Sequence, residues 1–149
     1  MLEVQLQKLI IDAMQEGGAG DGVKIANRFS VGYSDLLIKQ ANVPAFLMEV
    51  KQVEYADPRV PRKFKLDLTT PQKAFLRRFH RVGMFTCVGS FVQGRNISEL
   101  RFAVLPLAFC ERHDWIATTS MHEPLGGSRY RYANIRRLIY AAQTRSEGL

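Results

Sequence analysis

The 149-residue chain is predicted to adopt an α/β fold with the element order helix, strand, strand, strand, helix, strand. Two observations support this prediction. In residues 2–15, and again from Phe75 to Val82, apolar residues recur at the spacing of a half-buried helix. Between and after these stretches lie short runs rich in apolar and β-branched residues, and turn-forming residues bound them. The first pattern indicates amphipathic helices, and the second indicates strands of one sheet.

The composition is that of an ordinary globular protein of one domain, with 46% hydrophobic and 23% charged residues. The sequence has no run of roughly 20 apolar residues and no signal peptide, so we expect a cytoplasmic protein without membrane association. In that compartment Cys87 and Cys110 are expected to be free thiols. Cys110-x-x-His113 with His122 offers too few ligands for a closed zinc site.

The first helix is predicted over residues 2–15 and ends at the glycine-rich segment 17–20. Glu3 lies at the border of its apolar face. It is either a first-turn acid favoured by the helix dipole or part of a functional site, and both interpretations stay open. A first strand is predicted at 23–30.

Three ionisable residues lie on the next two predicted strands. Asp35 opens the first of them, the chain is predicted to reverse at 40–44, and the second strand, 45–52, carries Glu49 and Lys51. Because side chains alternate along a strand, Glu49 and Lys51 project from the same face. A hairpin brings Asp35 next to Glu49. Two carboxylates and an ammonium group therefore converge.

This convergence has a structural and a functional interpretation. Charges in a hydrophobic sheet must be paired or must bind something, and an ion pair across the hairpin would satisfy the first condition. The alternative is a site for a divalent cation. Mg²⁺ prefers oxygen ligands, and a neighbouring lysine can orient water or neutralise charge on a phosphate. The apolar neighbours of both acids favour the cation site.

The segment after this hairpin is predicted to be a loop, 54–68, followed by a helix from Thr69 to about Val82. Threonine caps this helix, proline takes its first position and Gly83 ends it. The predicted buried face consists of Phe75, Leu76, Phe79 and Val82. Gln72 falls on the same side. It is either satisfied by backbone groups in the core or reaches the functional site.

The net charge of +7 favours polyanionic partners, and the positive charge is segregated. Between positions 59 and 81 only one acid, Asp67, accompanies eight basic residues: Arg59, Arg62, Lys63, Lys65, Lys73, Arg77, Arg78 and Arg81. Five arginines and no acid lie from Arg129 to Arg145. The basic loop and helix are either a solvated surface or a surface that contacts a nucleic-acid backbone.

The remaining sequence predicts strands at 84–92 and 100–105, a short helix at 107–115, a loop at 122–128 and a helix at 132–144. The last helix has one apolar face beside two arginines. It packs on the sheet, pairs with a second subunit or contacts DNA, and the sequence does not distinguish these alternatives.

Asp35, thirteen intervening residues and Glu49-Val50-Lys51 together resemble the signature of the PD-(D/E)XK nucleases. Gly32-x-x-Asp35 resembles the VRR-NUC and Holliday-junction-resolvase branch, although Ser34 stands where many members have proline. The motif is short, so its weight comes from the surrounding elements, whose order is also that of the nuclease core. The resemblance covers roughly residues 3–92.

The resemblance implies a restriction-endonuclease-like core (αβββαβ) with a central mixed sheet of four to five strands flanked by helices. The nuclease domain would span residues 1–149, with the core at about 3–105 and a helical extension at 106–149. The implied activity is Mg²⁺-dependent hydrolysis of phosphodiester bonds in Holliday junctions or other branched DNA, with Mn²⁺ as a substitute metal. A homodimer suits symmetric cuts on two strands, and a small stand-alone nuclease would suit a phage.

The resemblance also assigns roles to single residues. Asp35 and Glu49 would ligate the metal together with the Val50 backbone carbonyl, and Glu3 would be a further ligand. Lys51 would position the attacking water or stabilise the phosphate under attack.

Gln72 matches a family glutamine that supports the catalytic lysine or the substrate. The eight basic residues between positions 59 and 81 would contact DNA. The alternative function is a catalytically inactive nuclease-fold protein that binds DNA or inhibits a partner. Retention of the clustered charges disfavours it, because an idle site has no physical reason to keep them.

Overall fold

The computed structural model describes residues 1–25, 35–55, 57, 59–95 and 99–147. Within these residues the elements, in chain order, are α1 Glu3–Glu16, β1 Gly20–Lys24, β2 Leu36–Gln40, β3 Phe46–Glu54, β4 Lys63–Lys65, α2 Thr70–Arg81, β5 Thr86–Gln93, β6 Arg101–Pro106, α3 Leu107–Arg112, β7 Ile116–Thr118, β8 Glu123–Pro124 and α4 Ser128–Glu147. The predicted order of helix, three strands, helix and strand is confirmed, with the short β4 inserted before α2. Among the described residues, no helix combines the length and apolarity that crossing a bilayer requires.

The main sheet is mixed and has the strand order β1-β2-β3-β5-β6-β8. Strands β2 and β3 form the predicted antiparallel hairpin, with Leu36 opposite Met48. Strand β5 returns parallel to β3 after α2 crosses over one face, and the other neighbouring pairs are antiparallel. The described sheet has six strands rather than four to five, because β8 adds a two-residue edge beside β6.

Each face of the main sheet carries its own core. On one face α1 and α4 pack against the sheet, and Ile10 and Ile135 are fully buried there together with Phe91 of β5. On the other face α2, α3 and the small β4–β7 sheet cover the strands, with Leu76 and Trp115 in that core. Helix α4 therefore packs on α1 and the sheet, which is one of the three predicted alternatives.

Several predicted boundaries differ from the structure. Strand β1 begins at Gly20, whereas the predicted strand ran over 23–30, of which 26–30 lie outside the described residues. The predicted loops 54–68 and 122–128 contain β4 and β8. These strands are two or three residues long and exist through pairing with distant partners, so they leave no periodic pattern in the sequence. Helix α4 also begins earlier than predicted, at Ser128.

Helix α2 is capped as predicted, and it ends at a glycine. The Thr69 side chain accepts from the Gln72 backbone N–H, Pro71 takes the second rather than the first helical position, and Gly83 has φ +93°. The prediction that Val82 is buried is wrong: its side chain is 80% exposed. Val82 is the residue after the last helical one, so the helical periodicity no longer fixes its direction. Leu76 is the fully buried residue of the predicted face.

A buried histidine ties the segment before β8 to the sheet. His122 is 2% exposed, its Nδ1 lies 2.9 Å from the Thr118 carbonyl, and its Nε2 lies 2.7 Å from Ser90 Oγ. The carbonyl can only accept, so Nδ1 carries the proton and Nε2 accepts from the serine hydroxyl. Burial lowers the pKa of His122 from 6.5 to about 4.

Acid is therefore expected to destabilise the fold through His122. Because the pKa of His122 is lower in the folded state than in the unfolded state, the neutral imidazole stabilises the fold. This contribution to the free energy of unfolding is complete above pH 6.5 and is lost as the pH falls toward 4, by about 3 kcal/mol in total. Urea unfolding of wild type and of His122→Gln measures this as a difference in slope against pH. The variant should be less stable at pH 7 and lose less stability between pH 6.5 and 4. Equal slopes for the two proteins would contradict the assignment.

Candidate active site

Glu49 and Lys51 lie in the middle of β3 and face α2. Their neighbours Met48 and Val50 point to the opposite core, as alternation along a strand requires. Lys51 Nζ lies 3.9 Å from Glu49 Oε1, and the two side chains are 18% and 2% exposed. The same-face arrangement predicted from their spacing is therefore present, at a position where the glutamate has lost nearly all contact with solvent.

Asp35 joins this pair through the β2–β3 hairpin. It directly precedes β2, and its Oδ2 accepts from the Val50 backbone N–H at 2.8 Å. That bond fixes the aspartate across the hairpin from the middle of β3, within hydrogen-bonding reach of the Glu49 carboxyl. The glycine and serine of the predicted motif, Gly32 and Ser34, lie outside the described residues.

Gln72 connects the first turn of α2 to Glu49. Its Nε2 donates to Glu49 Oε1 at 3.0 Å, while its Oε1 accepts from the Thr69 backbone N–H at 2.9 Å. The same side chain therefore takes part in the helix cap and contacts the acid. The Gln72 amide therefore both bonds to the backbone and reaches Glu49, which are the two predicted alternatives. The cap bond to Thr69 orients the amide so that its N–H points at Glu49.

The two oxygens of the Glu49 carboxylate have different surroundings. Oε1 accepts from Gln72, whereas Oε2 is buried and has no hydrogen-bond partner among the described residues. Burial raises the pKa of Glu49 to about 8; the nearby Asp35 and Glu3 raise it as well, and the Lys51 ammonium opposes the rise. Two carboxylates that face each other without a donor between them need a shared proton or a cation. The paired oxygens of Asp35 and Glu49 fit a hard divalent cation.

Glu3 lies at the edge of this site without joining the two acids. It contributes to a cleft of about 140 Å³ with Lys51, Lys65 and Asp67. Burial raises the pKa of Glu3, the Lys51 ammonium opposes this, and the charge of Asp35 adds to it. Within the described ranges no three histidine, cysteine, aspartate or glutamate side chains form a metal-binding group. The role of Glu3 as a further ligand stays a prediction, as does that of the Val50 carbonyl.

Local sequence patterns do not predict that Asp67 and Lys65 lie beside Lys51. In the sequence, Asp67 is the lone acid of a basic segment. Their position follows from β4, which pairs with β7 and lays the chain across the face of the sheet that carries the site. A pairing between segments about fifty residues apart has no local signal in the sequence.

Several of the predicted DNA contacts have partners within the protein. On α2, Lys73 Nζ lies 4.9 Å from the centre of the Trp115 ring, and Arg77 lies over the same ring and pairs with Glu111. Helix α2 therefore uses these two cations to hold α3 and the segment behind it. The guanidinium of Arg62 lies 5.5 Å from the centre of the Tyr55 ring. Besides Arg62, four basic residues of the predicted set have exposed side chains and no ion pair among the described residues: Lys63, Lys65, Arg78 and Arg81.

Two thiols are buried away from the site. Cys87 and Cys110 are fully buried, and both are free thiols, as predicted. Burial raises the pKa of Cys110 to about 12 and that of Cys87 well above its ordinary value, so both are unreactive thiols.

No family model and no curated protein matches the sequence. The structure does match solved structures. Among them is Hjc of Archaeoglobus fulgidus, a Holliday junction resolvase from an archaeal hyperthermophile, with a TM-score of 0.51 and 17% identity. The match covers 87% of this chain and 97% of the archaeal one. The chain has the fold of a Holliday junction resolvase. At this level of identity the comparison establishes the fold alone, and the predicted α/β, restriction-endonuclease-like fold class is confirmed.

Proposed function

We propose that this protein is a Mg²⁺-dependent endonuclease that hydrolyses phosphodiester bonds in branched DNA. The observation that carries the proposal is the group of Asp35, Glu49 and Lys51, in which a buried Glu49 oxygen has no hydrogen-bond donor in the part of the chain that the structure describes. A purely structural ion pair would leave both carboxylates matched by donors. Here the Lys51 ammonium lies 3.9 Å from Glu49, and the second carboxylate, Asp35, is held against the same strand by the Val50 N–H, so the two acids have an unmet need for positive charge.

Asp35 and Glu49 would hold the metal, with the Val50 carbonyl and Glu3 as further ligands and with Mn²⁺ as a substitute. When bound, the ion would supply a more acidic water and neutralise charge on the phosphate. The Val50 N–H holds one oxygen of Asp35, and Gln72 holds one oxygen of Glu49. These bonds leave the remaining oxygens of the two carboxylates to face the ion.

Lys51 would act on the phosphate. Its side chain is 18% exposed and lines the cleft that also contains Lys65. A positive charge placed beforehand at this point stabilises the negative charge that develops on the phosphate during attack, or it orients the attacking water. Gln72 positions Glu49 and thereby the whole group.

Branched DNA is the substrate class that the resolvase fold and the charge support best. The net charge of +7 attracts a polyanion, and the exposed cations of α2 and β4 would bind the backbone next to the cleft. Two of the other predicted contacts, Arg59 and Arg62, would extend that surface. Cuts on two strands of a junction suit a homodimer.

The test is a cleavage panel with labelled four-way junction, flap, nicked and plain duplex DNA. We expect cleavage of a branched substrate with Mg²⁺ or Mn²⁺, none with EDTA, and none by Asp35→Ala protein in either metal. Salt-sensitive DNA binding without metal-dependent cleavage of any substrate would instead establish the inactive DNA-binding alternative. Undiminished cutting by Asp35→Ala would refute the site.

A further inference from the structure

The small sheet of β4 and β7 is a two-stranded ribbon on the face of the main sheet that carries the active site. In its antiparallel register Lys63 lies opposite Thr118, and Lys65 lies opposite Ile116. Because side chains alternate along a strand, these four residues share one face. The pair between them is buried in the core beneath the ribbon. The ribbon therefore has an outer face that consists of these four side chains.

Hydrogen bonds at both ends hold the ribbon in place. At one end the Leu66 N–H donates to the Trp115 carbonyl at 2.7 Å. At the other end the Thr119 N–H donates to the Arg62 carbonyl at 2.9 Å. The hydroxyl of the buried Thr119 accepts from the Arg62 N–H at 3.0 Å and donates to the Val60 carbonyl at 2.9 Å. A surface that is ordered beforehand loses little conformational freedom when a partner binds.

The outer face combines unpaired positive charge with an exposed apolar side chain. Lys63 and Lys65 are exposed and have no ion pair among the described residues. Ile116 is 42% exposed and lies directly opposite Lys65. Ammonium groups displace the counterions of DNA phosphates, and an apolar side chain can contact the bases in a groove. The two kinds of side chain together suit a surface that binds nucleic acid.

The ribbon leads directly into the active-site cleft. Lys65 lines that cleft together with Lys51. Asp67 follows β4 at this end and lines the same cleft, whereas Arg62 precedes β4 at the other end and is exposed. Cations therefore follow β4 up to the cleft, and acids begin where the metal would bind. A DNA backbone that runs along β4 from Arg62 to Lys65 would arrive at Lys51.

The shape of the ribbon favours double-stranded DNA. Neighbouring strands lie about 4.8 Å apart, so a two-stranded ribbon fits the major groove of B-DNA, which is about 12 Å wide. Proteins that bind single strands without sequence preference stack the bases on aromatic rings. None of the four outer-face side chains is aromatic, and the neighbouring Trp115 is only 5% exposed.

We propose that the outer face of the β4–β7 ribbon binds a duplex arm of the DNA. Lys63 and Lys65 contact phosphates at the edge of the major groove, and β7 lies within the groove, where Ile116 contacts apolar parts of the bases. This proposal rests on the proposed function for its DNA substrate. It adds the part of the substrate that is held and the surface that holds it.

The main test is binding of a fluorescent duplex of about 20 base pairs to the full chain in EDTA, measured by anisotropy over a range of NaCl concentrations. The double variant Lys63→Met/Lys65→Met should bind at least tenfold more weakly at 100 mM NaCl. Its slope of log K against log salt should be shallower by about 2, because two phosphate contacts are lost.

The matched control is Lys8→Met/Arg145→Met. It removes two exposed cations from α1 and α4, which pack on the other face of the main sheet. Its net charge equals that of the ribbon variant, and its slope should differ from that of wild type by less than about 0.5. An equal fall in slope for the two double variants would overturn the proposal, because net charge alone would then explain the binding.

The position of β7 is tested by Ile116→Ser. This variant should weaken duplex binding about fivefold at every salt concentration without changing the slope, because it removes an apolar contact and no charge. Unlabelled single-stranded DNA of the same length should compete at least tenfold less well than duplex. Wild-type affinity of Ile116→Ser, or equal competition by the single strand, would also overturn the proposal.

These measurements are independent of cleavage, because EDTA removes the metal. Asp35→Asn, which lacks a carboxylate of the metal site, should bind the duplex at least as tightly as wild type. A protein that cuts no DNA can still bind through the ribbon, and a nuclease can bind its substrate through another surface. Failure of this proposal is therefore distinguishable from failure of the nuclease proposal.

Discussion

Replacing Lys51 by methionine is expected to slow DNA cleavage by about 100- to 1000-fold while the protein still binds Mg²⁺. Methionine keeps most of the length of the side chain and removes the ammonium that lies 3.9 Å from Glu49. The charge that develops on the phosphate in the transition state then lacks one of its stabilising partners. The carboxylates that would hold the metal stay in place, because Asp35 is fixed by the Val50 N–H and Glu49 by Gln72.

Single-turnover cleavage of a four-way junction at saturating enzyme measures the chemical step. Metal binding is measured by calorimetry at pH 9, because Lys51 lowers the pKa of Glu49 and its removal would otherwise add a protonation effect. Lys8→Met is the matched control. It removes the same charge from a side chain of α1 that is 72% exposed and paired with Asp12. Cleavage by Lys51→Met within tenfold of the control would contradict the assigned role.

Asp35→Asn tests the complementary case, in which metal binding and cleavage are lost together. The asparagine oxygen can still accept from the Val50 N–H, so the hairpin bond survives while the charge is lost. This variant should therefore fold like wild type but lose both the metal heat signal and cleavage. Loss of cleavage with metal binding intact would move Asp35 out of the metal site.

The centre of the site could be predicted from the sequence because local rules determine it. Alternation along one strand places Glu49 and Lys51 on one face, and a short reversal at 40–44 brings Asp35 back to them. Gln72 was also found, since helix periodicity put it on the inner side of α2. Each of these arguments spans about twenty residues or fewer, and within that distance sequence spacing converts directly into geometry.

The surroundings of the site could not be predicted, because they depend on pairings between distant segments. Strand β4 exists through its contact with β7, and this contact is what brings Asp67 beside Lys51. The basic face of α2 likewise looked free in the sequence, although Trp115 lies against two of its cations. Residues 114 and 115 have positive φ angles, and no local sequence pattern predicts this backbone conformation. Charge counting therefore overestimated the cationic surface available to DNA.

Glu49→Gln is expected to stabilise the metal-free protein at pH 8 and to abolish its stabilisation by Mg²⁺. The pKa of Glu49 is about 8 in the fold against an ordinary value of 4.5. A carboxyl group whose pKa is raised on folding stabilises the folded state. Its contribution to the free energy of unfolding is complete below pH 4.5 and is lost as the pH rises to about 8. The loss amounts to up to about 5 kcal/mol. The neutral amide removes this penalty, and its N–H₂ supplies a donor that can face Asp35.

Mg²⁺ should act in the opposite direction in wild type. Because the ion binds the ionised carboxylate, it stabilises the folded state and releases the proton that Glu49 holds. The increase in melting temperature from EDTA to 10 mM Mg²⁺ should therefore be larger at pH 8 than at pH 6. Glu49→Gln should show almost no increase at either pH. Thermal unfolding with and without the metal measures this increase for both proteins at both pH values, and no DNA is needed.

The matched control is Glu54→Gln, at the exposed end of the same strand. It should keep the wild-type dependence on pH and Mg²⁺, because the glutamate at that position has no buried oxygen to neutralise. If Glu49→Gln were no more stable than wild type at pH 8 in EDTA, the unmatched carboxylate would not be the source of strain that the metal relieves. If it also kept the full Mg²⁺ stabilisation, the ion would bind elsewhere. Together the two variants separate a metal site centred on Glu49 from a general effect of salt on a basic protein, because both replace one carboxyl group by a neutral amide and only one of them loses a buried ligand.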